Sequence, residues 1–283
     1  MVLTDPNVIK PLLERHGFHF SKALGQNFLV AGWVPERICA HAAPDASTAV
    51  LEIGPGIGVL TRELASRAGS VTAVELDKKL IPLLGETVGD LENVEIVNGD
   101  ALEFDYQKWA GEKPFSRRIV CANLPYNVTT PVLTALLSSE VFEELTVMIQ
   151  KEVAQRICAA PGTPEYGSFT VFSRFYSAPK MLFDVSPDSF MPRPKVTSTV
   201  ISMVKRPKPG DLRDEKLFFK VVRAAFAQRR KTLVNCLNTA FRIPKEELSS
   251  LLADLGLDPL VRGETLGIDE FVSLTNGLEG LIK

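Results

Sequence analysis

Nowhere in the 283 residues is there a run approaching the ~20 apolar residues that a membrane-spanning helix needs. The opening stretch, MVLTDPNVIKPLLERHG, has no basic segment followed by a long apolar one, so no secretion signal is expected. Cysteine is scarce: Cys39, Cys121, Cys158 and Cys236 lie far apart and form no C-x-x-C pair. That excludes a disulfide framework and a thiolate zinc site, and points to a reduced, cytoplasmic protein. Histidine is scarcer still, with His16, His19 and His41 all near the start. No cysteine or carboxylate cluster stands at ligand spacing beside them, so no metal is expected. Internal repeats and low-complexity tracts are absent as well. What remains is ordinary for a globular protein, 45% apolar and 23% charged, enough to build a normal core.

The net charge of −2 argues against a nucleic-acid partner until its distribution is considered. Between Arg193 and Lys231 stand twelve lysines and arginines against three acidic residues. A basic segment within an otherwise acidic chain is either an electrostatic footprint for phosphate or a solvated surface.

The first 47 residues read as a helical, irregular extension, with Pro11, Pro35 and Pro44 as breaks. From there short β-rich runs alternate with helical ones. Strands are expected at 48–53, 71–76, 94–97, 118–122 and 145–150, with helices at 58–69, from 78 to 84 and at 131–139. Such alternation implies an α/β fold with a doubly wound, mostly parallel sheet. The run VTSTVISMV at 196–204 alternates polar and apolar residues, as an antiparallel hairpin strand does. Composition breaks at KRPKPGD (205–211), which places an α/β domain at 1–206 and a small all-helical domain at 207–283. Helical patterns there cover 217–228, 231–241, 245–255 and 269–279.

The expected ligand edge of this sheet carries four motifs. Glu52-Ile-Gly54-Pro-Gly56-Ile-Gly58 joins the first strand to a helix, and its glycines permit a sharp turn with close ligand approach. Val59 breaks the dinucleotide pattern, so the turn suits a ligand without a pyrophosphate. Glu75 ends the second strand, nineteen residues after Gly56, where a carboxylate either accepts both ribose hydroxyls of a nucleoside or is merely exposed. Asp100, followed by Ala101, lies beyond the third strand, placed either to accept from an adenine amino group or to cap the next segment. The fourth strand runs into Asn123-Leu124-Pro125-Tyr126. An adenine amine is a poor nucleophile because its lone pair is delocalised into the ring. The Asn123 side-chain oxygen and the Leu124 carbonyl could hold its hydrogens and aim that lone pair. Pro125 stiffens the turn, and Tyr126 offers a face to an extruded base. A plain Asn-Leu-Pro turn with a core tyrosine is the alternative.

With these motifs in this order, the chain resembles the bacterial small-subunit rRNA adenine dimethyltransferases, within the class I S-adenosylmethionine-dependent methyltransferases. The resemblance covers essentially the whole chain. It rests also on Leu24-Gly-Gln-Asn-Phe-Leu29, Phe190-Met-Pro-Arg-Pro-Lys-Val196 and Ala225-Phe-Ala-Gln-Arg-Arg-Lys-Thr-Leu233. The resemblance implies a Rossmann-like seven-stranded sheet closed by an antiparallel hairpin. It implies S-adenosylmethionine as cofactor, with Gly54, Gly56, Glu75, Asp100, Ala101 and Asn123 in its site and Asn27 and Leu29 closing over the methionine end. Phe190 would stack on the second face of the target base. Arg193 and Lys195, with Arg229, Arg230 and Lys231 of a basic helix, would meet RNA phosphates. The implied substrate is a pair of adjacent adenines in a 3′-terminal hairpin loop of 16S rRNA, in the small subunit or its precursor, modified by a monomer with a role in ribosome biogenesis. Rival readings are a large-subunit rRNA dimethylase of the macrolide-resistance type, a DNA adenine methyltransferase and a non-catalytic RNA-binding assembly factor. Leu124 before Pro125 disfavours the DNA enzyme, which usually has two prolines there, and the intact Asn123 and Tyr126 disfavour loss of catalysis.

Overall fold

The computed structural model describes residues 2–21 and 25–282, so Leu24 of the amino-terminal motif lies outside the described residues. The chain forms two compact units. The described residues up to Ala154 join Ala178–Lys205 in the first, and Gln155–Ser177 join those from Arg206 onward in the second. A boundary at 205/206 follows from the Pro-rich break, but residues 155–177 belong with the helical unit rather than with the sheet, against the expected 1–206 domain. A linear reading misses this because the segment's partners come later in sequence. Tyr166 donates its hydroxyl proton to the Leu266 carbonyl at 2.8 Å.

The strands of the first unit are β1 (Phe28–Leu29), β2 (Thr48–Ile53), β3 (Ser70–Glu75), β4 (Val94–Asn98), β5 (Arg117–Asn123), β6 (Glu144–Gln150), β7 (Ser177–Val185), β8 (Phe190–Met191) and β9 (Ser198–Lys205). Seven of them form one sheet in the order β4-β3-β2-β5-β6-β9-β7. The pairs among β4, β3, β2, β5 and β6 are parallel, and β9 runs antiparallel to β6. The short strands β1 and β8 pair separately, with Leu29 opposite Phe190. All six residues of β2 are buried, as a central parallel strand covered on both faces requires. Missing from the sequence reading are the two-residue strands β1 and β8 and, in the main sheet, β7. This last is an edge strand with Pro179 near its start and exposed residues through its middle, which blur its pattern.

The helices of this unit are α1 (Pro6–Arg15), α2 (Trp33–Ala42), α3 (Val59–Ala65), α4 (Ile81–Val88), α5 (Tyr106–Glu112) and α6 (Thr129–Ser139). Two of the expected breaks are not breaks. Pro11 lies inside α1, and Pro35 sits in the first turn of α2, where backbone N–H groups have no helical acceptor to lose. Val34, Ile38, Cys39 and Ala42 of α2 pack onto Val50, Met148 and Val200 of the sheet. Ile9, Leu12 and Leu13 of α1 share a second cluster with Phe28, Ile57, Leu83 and Leu84.

In the second unit α7 (Lys151–Cys158) enters from the first, followed by α8 (Ser168–Tyr176), α9 (Glu215–Phe226), α10 (Leu233–Phe241), α11 (Lys245–Asp254) and α12 (Ile268–Glu279). Asp214 caps α9 by accepting from the Leu217 N–H at 2.9 Å. Phe175, Phe218 and Phe271 are fully buried at its centre, each worth about 1.5–3 kcal/mol of transfer free energy. No helix among the described residues is long and apolar enough to cross a membrane.

Candidate active site

Strand order reverses between β2 and β5, and the carboxyl ends of β2, β3, β4 and β5 converge there on one cleft of about 1170 Å³, counting its open mouth. Gly54, Gly56, Glu75, Asp100, Ala101, Asn123, Leu124 and Tyr126 all line it, together with Asn27 and Leu29. The glycine turn needs its glycines. Gly56 has φ +60° with Phe28 directly above it, and at Gly58, φ +87°, a Cβ would lie 2.6 Å from Val88 Cγ1.

Glu75 is not the exposed strand-end residue of the bland reading, being only 6% exposed. It accepts from the Asp77 N–H at 2.8 Å and more weakly from the Gly56 N–H at 3.4 Å. Burial pushes its pKa up to about 7, against these stabilising bonds. Glu52, at the foot of the same turn, lines the cleft and is wholly buried. Its Oε2 has no hydrogen-bond partner among the described residues. Burial, with the neighbouring Glu75 charge adding, raises its pKa to about 8.

Glu52 therefore holds its proton more tightly in the folded chain than in the unfolded one. Its contribution to stability is full below the ordinary carboxyl range and is lost as pH rises through about 8. In Glu52→Gln the part of the thermal-stability decline that falls between about pH 5 and pH 8 is expected to flatten in the cofactor-free protein. Melting curves across that range check it, and an unchanged profile contradicts it.

Asp100 Oδ1 accepts from the Leu102 N–H at 2.8 Å, so it does cap a local turn while its carboxylate lines the cleft. Leu76 and Leu102, 52% and 44% exposed, flank this end as open apolar walls fit for a flat ring. The segment from Gly25 to Leu29 lines the cleft as well. Gln26, not singled out from sequence, donates to Asp77 Oδ2 at 2.8 Å and accepts from the Ser21 N–H at 2.8 Å, clamping that segment beside Glu75.

Leu124 is held by its N–H to the Met148 carbonyl at 3.1 Å. Asn123 donates its amide N–H to the Asn27 carbonyl at 3.3 Å. Using the nitrogen in this way leaves Oδ1 as the acceptor, the polarity that amine orientation requires. Thr129 closes the turn by donating to the Pro125 carbonyl at 3.1 Å. Tyr126 shares a hydrogen bond with Ser198 at 2.7 Å, so it is a half-buried cleft residue and not a core tyrosine. Phe190 departs from expectation. Its pairing in β8 turns the ring into the core cluster with Leu29, Val34 and Ile38, it is 4% exposed, and it does not line the cleft. A ring sealed in this way offers no face to a base.

The basic candidates also separate. Arg193 is exposed and paired with Asp188 at 3.0 Å, and Lys195 is exposed. The run 229–231 is not helical, as the resemblance implied, but forms the turn between α9 and α10. Arg229 is clipped there to Glu264 at 3.2 Å and to the Pro164 carbonyl, while Arg230 and Lys231 point outward as exposed residues. Lys216, Lys220 and Arg223 of α9 are exposed too, spaced to share one helix face, a stripe that a plain charge count does not resolve.

The residues lining the cleft include three carboxyl-bearing side chains, Glu52, Glu75 and Asp100, and among the described residues no lysine, arginine or histidine. Such a lining repels phosphates and suits a cationic nucleoside. A family model for "Ribosomal RNA adenine dimethylase" matches residues 17–278. A protein of Bacillus mycoides (strain KBAB4) named "Ribosomal RNA small subunit methyltransferase A" is 44% identical over 98% of this chain and 97% of its own length. A relative of the same name from Bacillus cereus (strain B4264) matches equally well. Among solved structures, a dimethyladenosine transferase from Plasmodium falciparum superposes with a TM-score of 0.78 at 24% identity, covering 89% of this chain and 98% of that one. The 23S rRNA methyltransferase ErmE gives 0.67 at 26% identity, covering 89% and 100%. The sheet order, the carboxylate-lined cleft and these likenesses agree: the chain belongs to the ribosomal RNA adenine dimethylase family.

Proposed function

We propose that the protein transfers methyl groups from S-adenosylmethionine to the exocyclic amines of two adjacent adenines, in a hairpin loop near the 3′ end of small-subunit rRNA, acting in the cytoplasm on the small subunit or its precursor. The observation that carries the cofactor assignment is the acidic, phosphate-excluding lining of the cleft. The 44% identity to proteins named as small-subunit methyltransferases supports the substrate. When bound, the cofactor supplies an electrophilic methyl group on a sulfonium. Glu75 would accept from its ribose hydroxyls and Asp100 from its adenine amino group, with Leu76 and Leu102 as apolar walls. Asn27 and Leu29 would cover its methionine end. Asn123 Oδ1 and the Leu124 carbonyl hold the hydrogens of the target amine, and Tyr126 stacks on the flipped base. The amine's proton passes to water after transfer, so no strong base is needed among the lining side chains.

Exposed cations in the second unit supply phosphate contacts. Reversing Arg230 and Lys231 to Glu is expected to weaken RNA binding and to lower the log–log salt slope by about 0.7–0.9 per lost contact, with cofactor affinity unchanged. Equal slopes for variant and wild type would make this turn a solvated surface. The substrate itself is tested by labelled methyl transfer to small subunits lacking the modification, beside naked RNA and large subunits. Label confined to large subunits would favour the macrolide-resistance type instead.

A further inference from the structure

The Asn123–Tyr126 turn is tied to β9 of the sheet through Tyr126. Tyr126 lines the cleft, yet no other aromatic ring among the described residues packs against it, so ring stacking does not fix its plane. Its hydroxyl instead meets Ser198 Oγ at 2.7 Å. Ser198 opens β9, is fully buried, and lies opposite Gln150 of β6 in the antiparallel ladder. The serine oxygen is thus set by the sheet, a rigid frame, while Tyr126 sits on a turn. Its position also joins two elements that sequence keeps apart, the Asn123–Tyr126 turn and the end of the Pro-rich segment that follows Phe190.

We propose that Ser198 is a positioning residue for base stacking: through its hydrogen bond to the Tyr126 hydroxyl it anchors the far end of that ring and so fixes where the ring lies in the cleft. This explains why a tyrosine serves here where a phenylalanine would stack equally well. It also matters more because Phe190 is sealed in the core and does not share the stacking with Tyr126. The inference rests on the adenine-methylating reading, and wild-type transfer must be established first. An inactive wild type would count against that reading and would overturn the stacking role of Ser198 with it, whereas an active wild type with unaffected variants overturns the Ser198 role alone.

The test is a double-mutant cycle of Ser198→Ala and Tyr126→Phe in single-turnover methyl transfer, with calorimetric cofactor affinity and melting temperature measured alongside. Each single change removes the same hydrogen bond. Each is expected to slow transfer roughly 5- to 10-fold, with cofactor affinity unchanged, and the double variant is expected to be no slower than either single one. If Ser198→Ala slows the Tyr126→Phe enzyme by the same factor as it slows the wild type, Ser198 acts through the sheet and not through Tyr126, and the proposal falls. Loss of folding in Ser198→Ala would be recognised by its melting curve. In that case Tyr126→Phe alone decides: transfer at the wild-type rate would overturn the proposal, and transfer slowed at unchanged cofactor affinity would support it.

Discussion

Replacing Asn123 with alanine is expected to abolish methyl transfer while leaving the fold and most RNA binding in place. The side chain donates through nitrogen to the Asn27 carbonyl, which leaves its oxygen for the target amine. Without that oxygen the amine retains only the Leu124 carbonyl, and its lone pair is no longer aimed at the methyl. Well-oriented reactants can gain about 7–11 kcal/mol from near-attack geometry, and losing alignment forfeits much of it. The structural loss is small by comparison, one hydrogen bond at the edge of the cleft, worth about 1 kcal/mol. Tyr126→Ala should be graded instead, since base–aromatic stacking contributes roughly 1–3 kcal/mol. Phe190, being buried, does not compensate, so the effect belongs at the upper end of that range. Single-turnover rates check the ranking. Asn123→Ala retaining most of its rate would remove the amine-orienting role.

Glu75→Ala is expected to weaken S-adenosylmethionine binding by about 1.5–3 kcal/mol, the worth of a pair of charge-assisted ribose bonds. The pH dependence gives a second handle. Burial raises the Glu75 pKa to about 7, and only the ionised carboxylate accepts from both hydroxyls. Cofactor affinity of the wild type should therefore rise as pH increases through about 7 and level off above it. The alanine variant should lack that rise. Calorimetric titrations at several pH values separate the cases, and equal affinities for the two proteins would remove Glu75 from the site.

The parallel core of the fold was legible because short, mostly apolar β-rich runs alternate with helical ones, as β2, buried along its whole length, does before its helix. The edge strand β7 has exposed residues through its middle, and the segment 155–177 finds its partners a hundred residues later, so neither showed in a local pattern. The cleft was legible in its backbone-dictated parts: glycines at positive φ and carboxylates at strand ends leave fixed traces in sequence. Orientation left none. Phe190 carries the right residue type at the right motif position, but a two-residue strand turns it inward. The run 229–231 looked uniform, yet Arg229 is committed to Glu264 while its two neighbours are not. Gln26 and Ser198 act through contacts 51 and 72 residues away, beyond the reach of any spacing rule.

The central claim is tested most directly by the identity of the product. Small subunits lacking the modification would be incubated with the protein and S-adenosylmethionine, and their rRNA digested to nucleosides and analysed by mass spectrometry. The expected product is N6,N6-dimethyladenosine, two residues per subunit, mapping to neighbouring positions near the 3′ end, and absent from the reaction of Asn123→Ala. Methyl groups found on another nucleoside, or none on the small subunit, would contradict the account.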